Sequence, residues 1–205
     1  MPEDPTNRVS VVDPQAVVRL AMQIPALKRT PRSGWLVRGV APGEVESVAA
    51  HTAGVALVAL LLAELVEVSI DRGRLLSICL LHDLAEAVTG DLPWPAQQYF
   101  GPGVKAQAEG RALRDMLEGL PFAADWLALW QDFEDAGSEE ARLARDADRI
   151  DLLLQAVAYE QSGRRGLEEF WDGAAQYRWH FSQAATLFSQ LKQRVSYNDF
   201  TMDSR

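Results

Sequence analysis

Residues able to do chemistry concentrate in one stretch, His82 to Ala96, HDLAEAVTGDLPWPA. The apolar run Leu75 to Leu81 reads as a buried helix and leads straight into an imidazole and a carboxylate at His82 and Asp83. Burying those two groups unpaired would cost several kcal/mol. A divalent metal ion compensates directly, because imidazole and carboxylate are common protein ligands of such ions. Glu86 stands at i+4 from His82 and i+3 from Asp83, so the spacing predicts two candidate ligands and a proton-transfer group on one side of a helix. That helix is expected to run from about Gly73 to Val88 behind an Asp71 cap. It should stop at Thr89-Gly90, where Asp91-Leu92-Pro93-Trp94-Pro95 forms a rigid turn.

Two further candidates lie on other helices. Ser47 can cap a helix from Val48 to about Val66, where His51 shares a face with Val55, Val58, Leu62 and Leu65 and therefore points inward. It is either a hydrogen-bonded core histidine or a ligand. Ser138-Glu139-Glu140 opens a long helix to about Gln161, with Ala141, Ala144, Leu152, Ala156 and Tyr159 on one face and Asp148 in the middle of it. A carboxylate there either pairs with Arg145 or Arg149, or completes a metal site. Asp151 is expected to pair with a nearby arginine, and His180 to be a surface or packing residue. Between Pro25 and Arg38, Lys28, Arg29, Arg32 and Arg38 bracket Trp35 in an otherwise acidic chain. They form either a solvated basic loop or a set of phosphate and base contacts.

The elements that must position these groups are all helical. Residues 1–12 are expected to be loosely held, after which Asp13-Pro14 opens a helix from Gln15 to Ile24. Further helices are expected over Val104–Leu117, Phe122–Phe133, Leu167–Trp171 and Arg178–Arg194, with Trp126 and Trp130 packing a core edge. No period-two run, internal repeat or glycine-rich phosphate loop is found. The chain has 205 residues, 48% of them hydrophobic and 24% charged, as expected of one globular domain. A net charge of −9 argues against polymeric nucleic acid as a partner. Cys79 is the single cysteine, which excludes an intramolecular disulfide. With no secretory pattern and no apolar stretch long enough to span a bilayer, a cytoplasmic protein without membrane association is expected.

His51, His82-Asp83 and Asp148 in an all-helical chain of this size resemble the HD-domain metal-dependent phosphohydrolases. The segments Pro31-Arg32-Ser33-Gly34-Trp35, Arg38, Glu46 to His51, His82 to Glu86, Thr89 to Pro93 and Ala147-Asp148 look like the 5′-deoxynucleotidase branch of that family. The resemblance covers about residues 25–160. It divides the chain into an extension with the first helix (1–24), an all-α HD helical bundle (25–160) and a C-terminal helical extension (161–205). It implies one divalent transition metal, Mn, Co, Fe, Ni or Zn, held by His51, His82, Asp83 and Asp148. Glu86 and Asp91 are then the catalytic carboxylates, and Arg32, Trp35, Arg38, Leu92, Pro93 and Trp94 the nucleotide contacts, with Trp35 stacking on the base. The activity implied is hydrolysis of deoxyribonucleoside 5′-monophosphates by a homodimer, for which the region of Trp126 and Trp130 offers a surface. The alternatives are a dNTP triphosphohydrolase of the same fold and a non-catalytic nucleotide-binding protein.

Overall fold

The computed structural model describes residues 12–202, so all but the last of the residues expected to be loosely held at the amino terminus lie outside it. The described residues form helices and no strand. These are α1 (Pro14–Ala21), α2 (Ile24–Leu27), α3 (Ser33–Val37), α4 (Val48–Ala63), α5 (Arg72–Leu81), α6 (Glu86–Thr89), α7 (Trp94–Gln97), α8 (Val104–Met116), α9 (Ala123–Asp135), α10 (Glu139–Gln161), α11 (Glu168–Gln176) and α12 (Ser182–Met202). The basic loop thus contains a short helix, and its start is tied to the head of α4 by a bridge between Pro31 and Ser47.

Three helices position the site. The Ser47 hydroxyl accepts the Ala50 N–H, the Asp71 carboxylate that of Arg74, and the Ser138 hydroxyl that of Ala141, so α4, α5 and α10 begin where their orphan donors find a partner. α10 packs along α4, and both pack on α5. The seam is made of Val55, Ala59 and Leu62 from α4, Leu75 and Ile78 from α5, and Ala144, Ala147 and Ile150 from α10. Alanines on α10 let the backbones approach closely. The extreme case is Gly54, where a methyl group would sit 2.1 Å from Asp151 Oδ1. α11 and α12 close the same bundle against α10, with Trp35, Tyr159, Leu167 and Trp171 forming a shared apolar cluster. Buried Asp146 accepts the backbone N–H groups of His180 and Phe181 and anchors the approach to α12, while the His180 side chain is exposed.

Four expectations need correction. The helix expected from Gly73 to Val88 is broken: α5 ends at Leu81, and Leu84, Glu86 and Ala87 each donate to the carbonyl three residues back, through the turn and into the start of the short α6. Three-residue winding eclipses side chains at i and i+3, so Asp83 and Glu86 turn toward one cavity more closely than a continuous α-helix allows. Leu65 lies beyond the end of α4 and is 50% exposed, not inward. Trp130 is 4% exposed and packs with Leu113 and Leu117, with Trp126 half-buried against the same cluster, so the pair packs a core edge as expected but Trp130 itself offers no surface to a second copy. At the C-terminal side, α11 extends to Gln176 and the last helix begins at Ser182.

Candidate metal centre and the cavity beside it

The head of α4, the end of α5 and the middle of α10 meet at one point. His51 (0% exposed), His82 (4%) and Asp83 (8%) are buried there. One nitrogen or oxygen from each lies within 4.8 Å of those of the other two. Asp148 stands beside them, its Oδ1 3.0 Å from His51 Nε2. The four residues that the family resemblance implied as ligands are therefore brought together from three helices.

The tautomers decide what this cluster needs. His82 Nδ1 lies 2.7 Å from the Cys79 carbonyl oxygen, which can only accept, so Nδ1 carries the proton and Nε2 presents a lone pair. That lone pair faces Asp83 Oδ2 at 3.2 Å. His51 repeats the arrangement: Nδ1 is 2.8 Å from Asp151 Oδ2, and Nε2 faces Asp148 at 3.0 Å and Asp83 at 3.7 Å. Both Nε2 atoms are buried without a well-formed hydrogen bond. An imidazole nitrogen this close to a carboxylate must either hold a proton or have a cation between the two, and a divalent ion at the meeting point of all four groups meets that need. Burial and the Arg32 charge pull the His51 pKa down, but hydrogen bonds and charge from Asp148 and Asp151 outweigh them and raise it to about 10. Although burial opposes it, contact with His82 and the charges of Arg32 and His51 hold the Asp83 carboxyl well below its usual range. The donor set fits a divalent cation, with Phe133 covering the His82 ring at 4.9 Å. A second grouping, Glu46, His51 and Asp151, lies on the Nδ1 side, where Asp151 is already bonded to His51 and Glu46 to Trp35 Nε1 at 2.7 Å.

A cavity of about 610 Å³ opens beside the cluster. Its floor carries Glu86, 1% exposed, whose pKa burial pushes up, with help from the Asp83 and Asp91 charges, to about 9. Arg32 reaches Asp83 at 3.4 Å and Asp91 at 3.7 Å, and these charges outweigh burial to raise its pKa further. Asp91 accepts from the Ser33 N–H at 2.5 Å and from its hydroxyl at 2.9 Å, which fastens the 91–95 turn to the start of α3. Arg38 also lines the cavity and pairs with Glu169 of α11. Leu92, Pro93 and Trp94 form the outer wall, where Trp94 is 67% exposed.

The base-stacking role expected of Trp35 meets a ring that is 1% exposed. Tyr159 packs edge-on at 5.1 Å, Phe170 covers it at 4.2 Å and Glu46 takes its N–H, so Trp35 braces the cavity. Asp151 orients His51 instead of pairing with an arginine, and no ion pair joins Asp148 to Arg145 or Arg149 among the described residues. Arg145 donates to the Phe133 and Glu134 carbonyls, and Arg149 lies over the Tyr177 ring at 5.1 Å.

Sequence reasoning passed over Lys105 and Glu109, whose i, i+4 spacing on the same face as Ala112 and Leu113 was a usable signal. It passed over Gly54 too, an isolated glycine in an apolar helix, which marks close backbone approach. Glu169, Phe170 and Gln176 of α11 also line the cavity, and nothing local in the sequence announces that.

The 5′-deoxynucleotidase HDDC2 of Danio rerio is 30% identical to the chain over 174 residues, 82% of each protein. Among solved structures, a conserved hypothetical protein from Pyrococcus furiosus aligns with a TM-score of 0.73 at 36% identity, over 86% of this chain and 99% of the other. The PH0347 protein of Pyrococcus horikoshii OT3 aligns with a TM-score of 0.75 at 32% identity, over 86% and 98%. The HD domain model matches residues 24–187, and with the paired histidines and carboxylates of the motif gathered in one buried cluster, the chain belongs to the HD domain family.

Proposed function

We propose that the protein is a metal-dependent 5′-deoxynucleotidase, hydrolysing deoxyribonucleoside 5′-monophosphates to the deoxyribonucleoside and phosphate. The observation that carries this reading is the placement of Glu86 beside the cation-demanding cluster, on the floor of a cavity large enough for a mononucleotide. The relatives named 5′-deoxynucleotidase support the substrate class.

His51, His82, Asp83 and Asp148 would hold the ion, and Mn, Co, Fe, Ni and Zn all suit such a set. A bound divalent ion supplies Lewis acidity toward phosphoryl oxygen and lowers the pKa of water. The protein's own residues do the rest. Glu86 takes the proton of the attacking water. Neutralising Asp83 in the loaded site removes one cause of the raised Glu86 pKa and brings the carboxylate toward its working range. Arg32, tethered to Asp83 and Asp91 with N–H groups to spare, would hold the phosphate, and Arg38 borders the same cavity. Asp91 keeps Arg32 and the outer turn in register, and its Oδ1 is the oxygen that Ser33 leaves open to a sugar hydroxyl.

A cytoplasmic homodimer completes the proposal. No helix among the described residues is long and apolar enough to cross a membrane. Leu57 and Leu61, 65% and 66% exposed and one turn apart on α4, offer an apolar stripe for a second copy. The deciding assay measures orthophosphate and triphosphate released from dNMPs, NMPs and dNTPs by chelator-stripped protein reloaded with each metal. Orthophosphate from dNMPs is expected; triphosphate from dNTPs, or no release, overturns the assignment.

A further inference from the structure

The carboxylate of Glu86 is held unevenly. Its Oε1 accepts from Lys105 Nζ at 3.3 Å, whereas its Oε2 is buried without a hydrogen-bond partner. The same ammonium lies 2.7 Å from Oε1 of Glu109, one turn further along α8 and only 4% exposed. Glu109 is thus the near anchor and Glu86 the more distant partner, reached across the contact between α8 and α6. An ammonium has three donors, so two buried carboxylates can be served by one lysine. α6 is four residues long and follows a tightly wound turn, and its own backbone does little to choose between orientations of the Glu86 carboxylate.

We propose that Lys105, anchored by Glu109, is a positioning residue that pins Oε1 of Glu86 and leaves Oε2 as the oxygen that receives the proton of the attacking water. This rests on the hydrolase reading above. In the step served, the water O–H bond breaks and its proton passes to Oε2. The water oxygen bonds to phosphorus as the P–O5′ bond breaks, and the departing 5′ oxygen is protonated from solvent. Lys105 does not touch the reacting atoms. It removes the rotational freedom that would otherwise let Glu86 turn away from the water, the kind of freedom whose loss separates a poised base from a nearby one.

The test compares Lys105→Met, Lys105→Arg and Glu109→Gln with the wild type on dAMP, with metal content by elemental analysis and helicity by circular dichroism. Lys105→Met is expected to lose about 100-fold in kcat. Its KM for dAMP should stay within about threefold of wild type, with metal content and helicity unchanged. Lys105→Arg should recover most of that loss, and Glu109→Gln should lose about tenfold in kcat. A Lys105→Met protein with undiminished kcat overturns the assignment. A higher KM with kcat intact overturns it as well, because the ammonium would then bind substrate. A Lys105→Arg protein no more active than Lys105→Met overturns it too, because a cation restored at that position would then do nothing for Glu86. If Lys105→Met fails to fold, Glu109→Gln decides, and unchanged kcat there overturns the proposal. A wild type that releases no phosphate from any dNMP removes the hydrolase reading, and this role with it. An active wild type beside an undiminished Lys105→Met removes the Lys105 assignment alone.

Discussion

The floor of the cavity and its rim are built on opposite principles. On the floor, His51 is set by Asp151, His82 by the Cys79 carbonyl and the Phe133 ring, and Glu86 by Lys105, each on a helix or tight turn packed against its neighbours. On the rim, Trp94 is 67% exposed, and Tyr99 and Phe100, further along the same segment, are 84% and 50% exposed. The rim's polar ties are mostly its own, such as Gln97 to the Leu92 carbonyl and Gln98 to that of Pro95. Chemistry that depends on tenths of an ångström belongs on the buried floor, and a surface that chooses among related ligands can tolerate the rim's exposure. Arg32 joins the two, reaching Asp83 on one side and Asp91 on the other.

If the floor is a preorganised metal site, removing one ligand should have the largest effect of any change in the molecule. Asp148→Ala and His82→Ala are expected to lose metal and activity together, to the level of chelator-stripped protein, while remaining helical. Elemental analysis showing a full metal complement in Asp148→Ala would take that residue out of the site. Glu86→Ala separates the catalyst from the ion. It should bind metal and nucleotide and lose turnover by about 100-fold or more. Retained turnover would mean that another group takes the water proton.

The next effect is smaller and tests the supporting layer. Asp151→Ala should weaken metal binding by about 10–100-fold, because the His51 ring loses the acceptor that fixes its tautomer. Gly54→Ala should do much the same without touching a polar group, since its methyl would lie 2.1 Å from Asp151 Oδ1 and force that side chain aside. Unchanged affinity in both, by competition with a chromogenic chelator, would show that His51 needs no such support. The raised pKa of His51, about 10, sets a sign as well: the imidazole must give up its proton to take a metal. Metal uptake should therefore release protons, and affinity should rise with pH below that value. Calorimetry in two buffers of different ionisation enthalpy would detect the release.

Much of the floor was legible because its residues announce themselves. A histidine and an aspartate directly after an apolar run, and a carboxylate on the buried face of α10, are exceptions to burial rules that a reader of sequence can see. The family pattern joined them. What was not legible depended on packing between distant segments. That α5 stops at Leu81 follows from the site's geometry and not from helix propensity, since Leu84, Ala85 and Ala87 all favour a helix. That Trp35 is walled in by Phe170 and Tyr159 requires α11 to fold back over the basic loop. An arginine was the natural partner to expect for Asp151, which lies beside Arg149 in sequence, but across the α4–α10 seam the glycine at position 54 leaves its carboxylate room to reach His51.

The rim should show the mildest effect and the one most specific to substrate choice. Pro93 and Pro95 restrict the backbone on both sides of Trp94, and the Gln97 amide ties the short helix back to Leu92 at 2.8 Å, so the indole stands on a firm base although its ring is exposed. Asp91 opens the same turn with Oδ2 committed to Ser33 and Oδ1 3.7 Å from Arg32, so a 3′-hydroxyl would be accepted at Oδ1. A 2′-hydroxyl brought against this wall must clash or be buried without a partner, a penalty of about 1–3 kcal/mol, or roughly tenfold or more in kcat/KM against ribonucleotides. With Trp35 only 1% exposed, Trp94 is the open indole on the cavity wall against which a base would lie, and a π-face alone distinguishes bases poorly. Trp94→Ala is therefore expected to narrow the dAMP-to-AMP ratio more than it lowers dAMP turnover, with little change in preference among the four dNMPs. Equal kcat/KM for dAMP and AMP in the wild-type protein would leave the wall without a function and remove the steric basis for a deoxy preference.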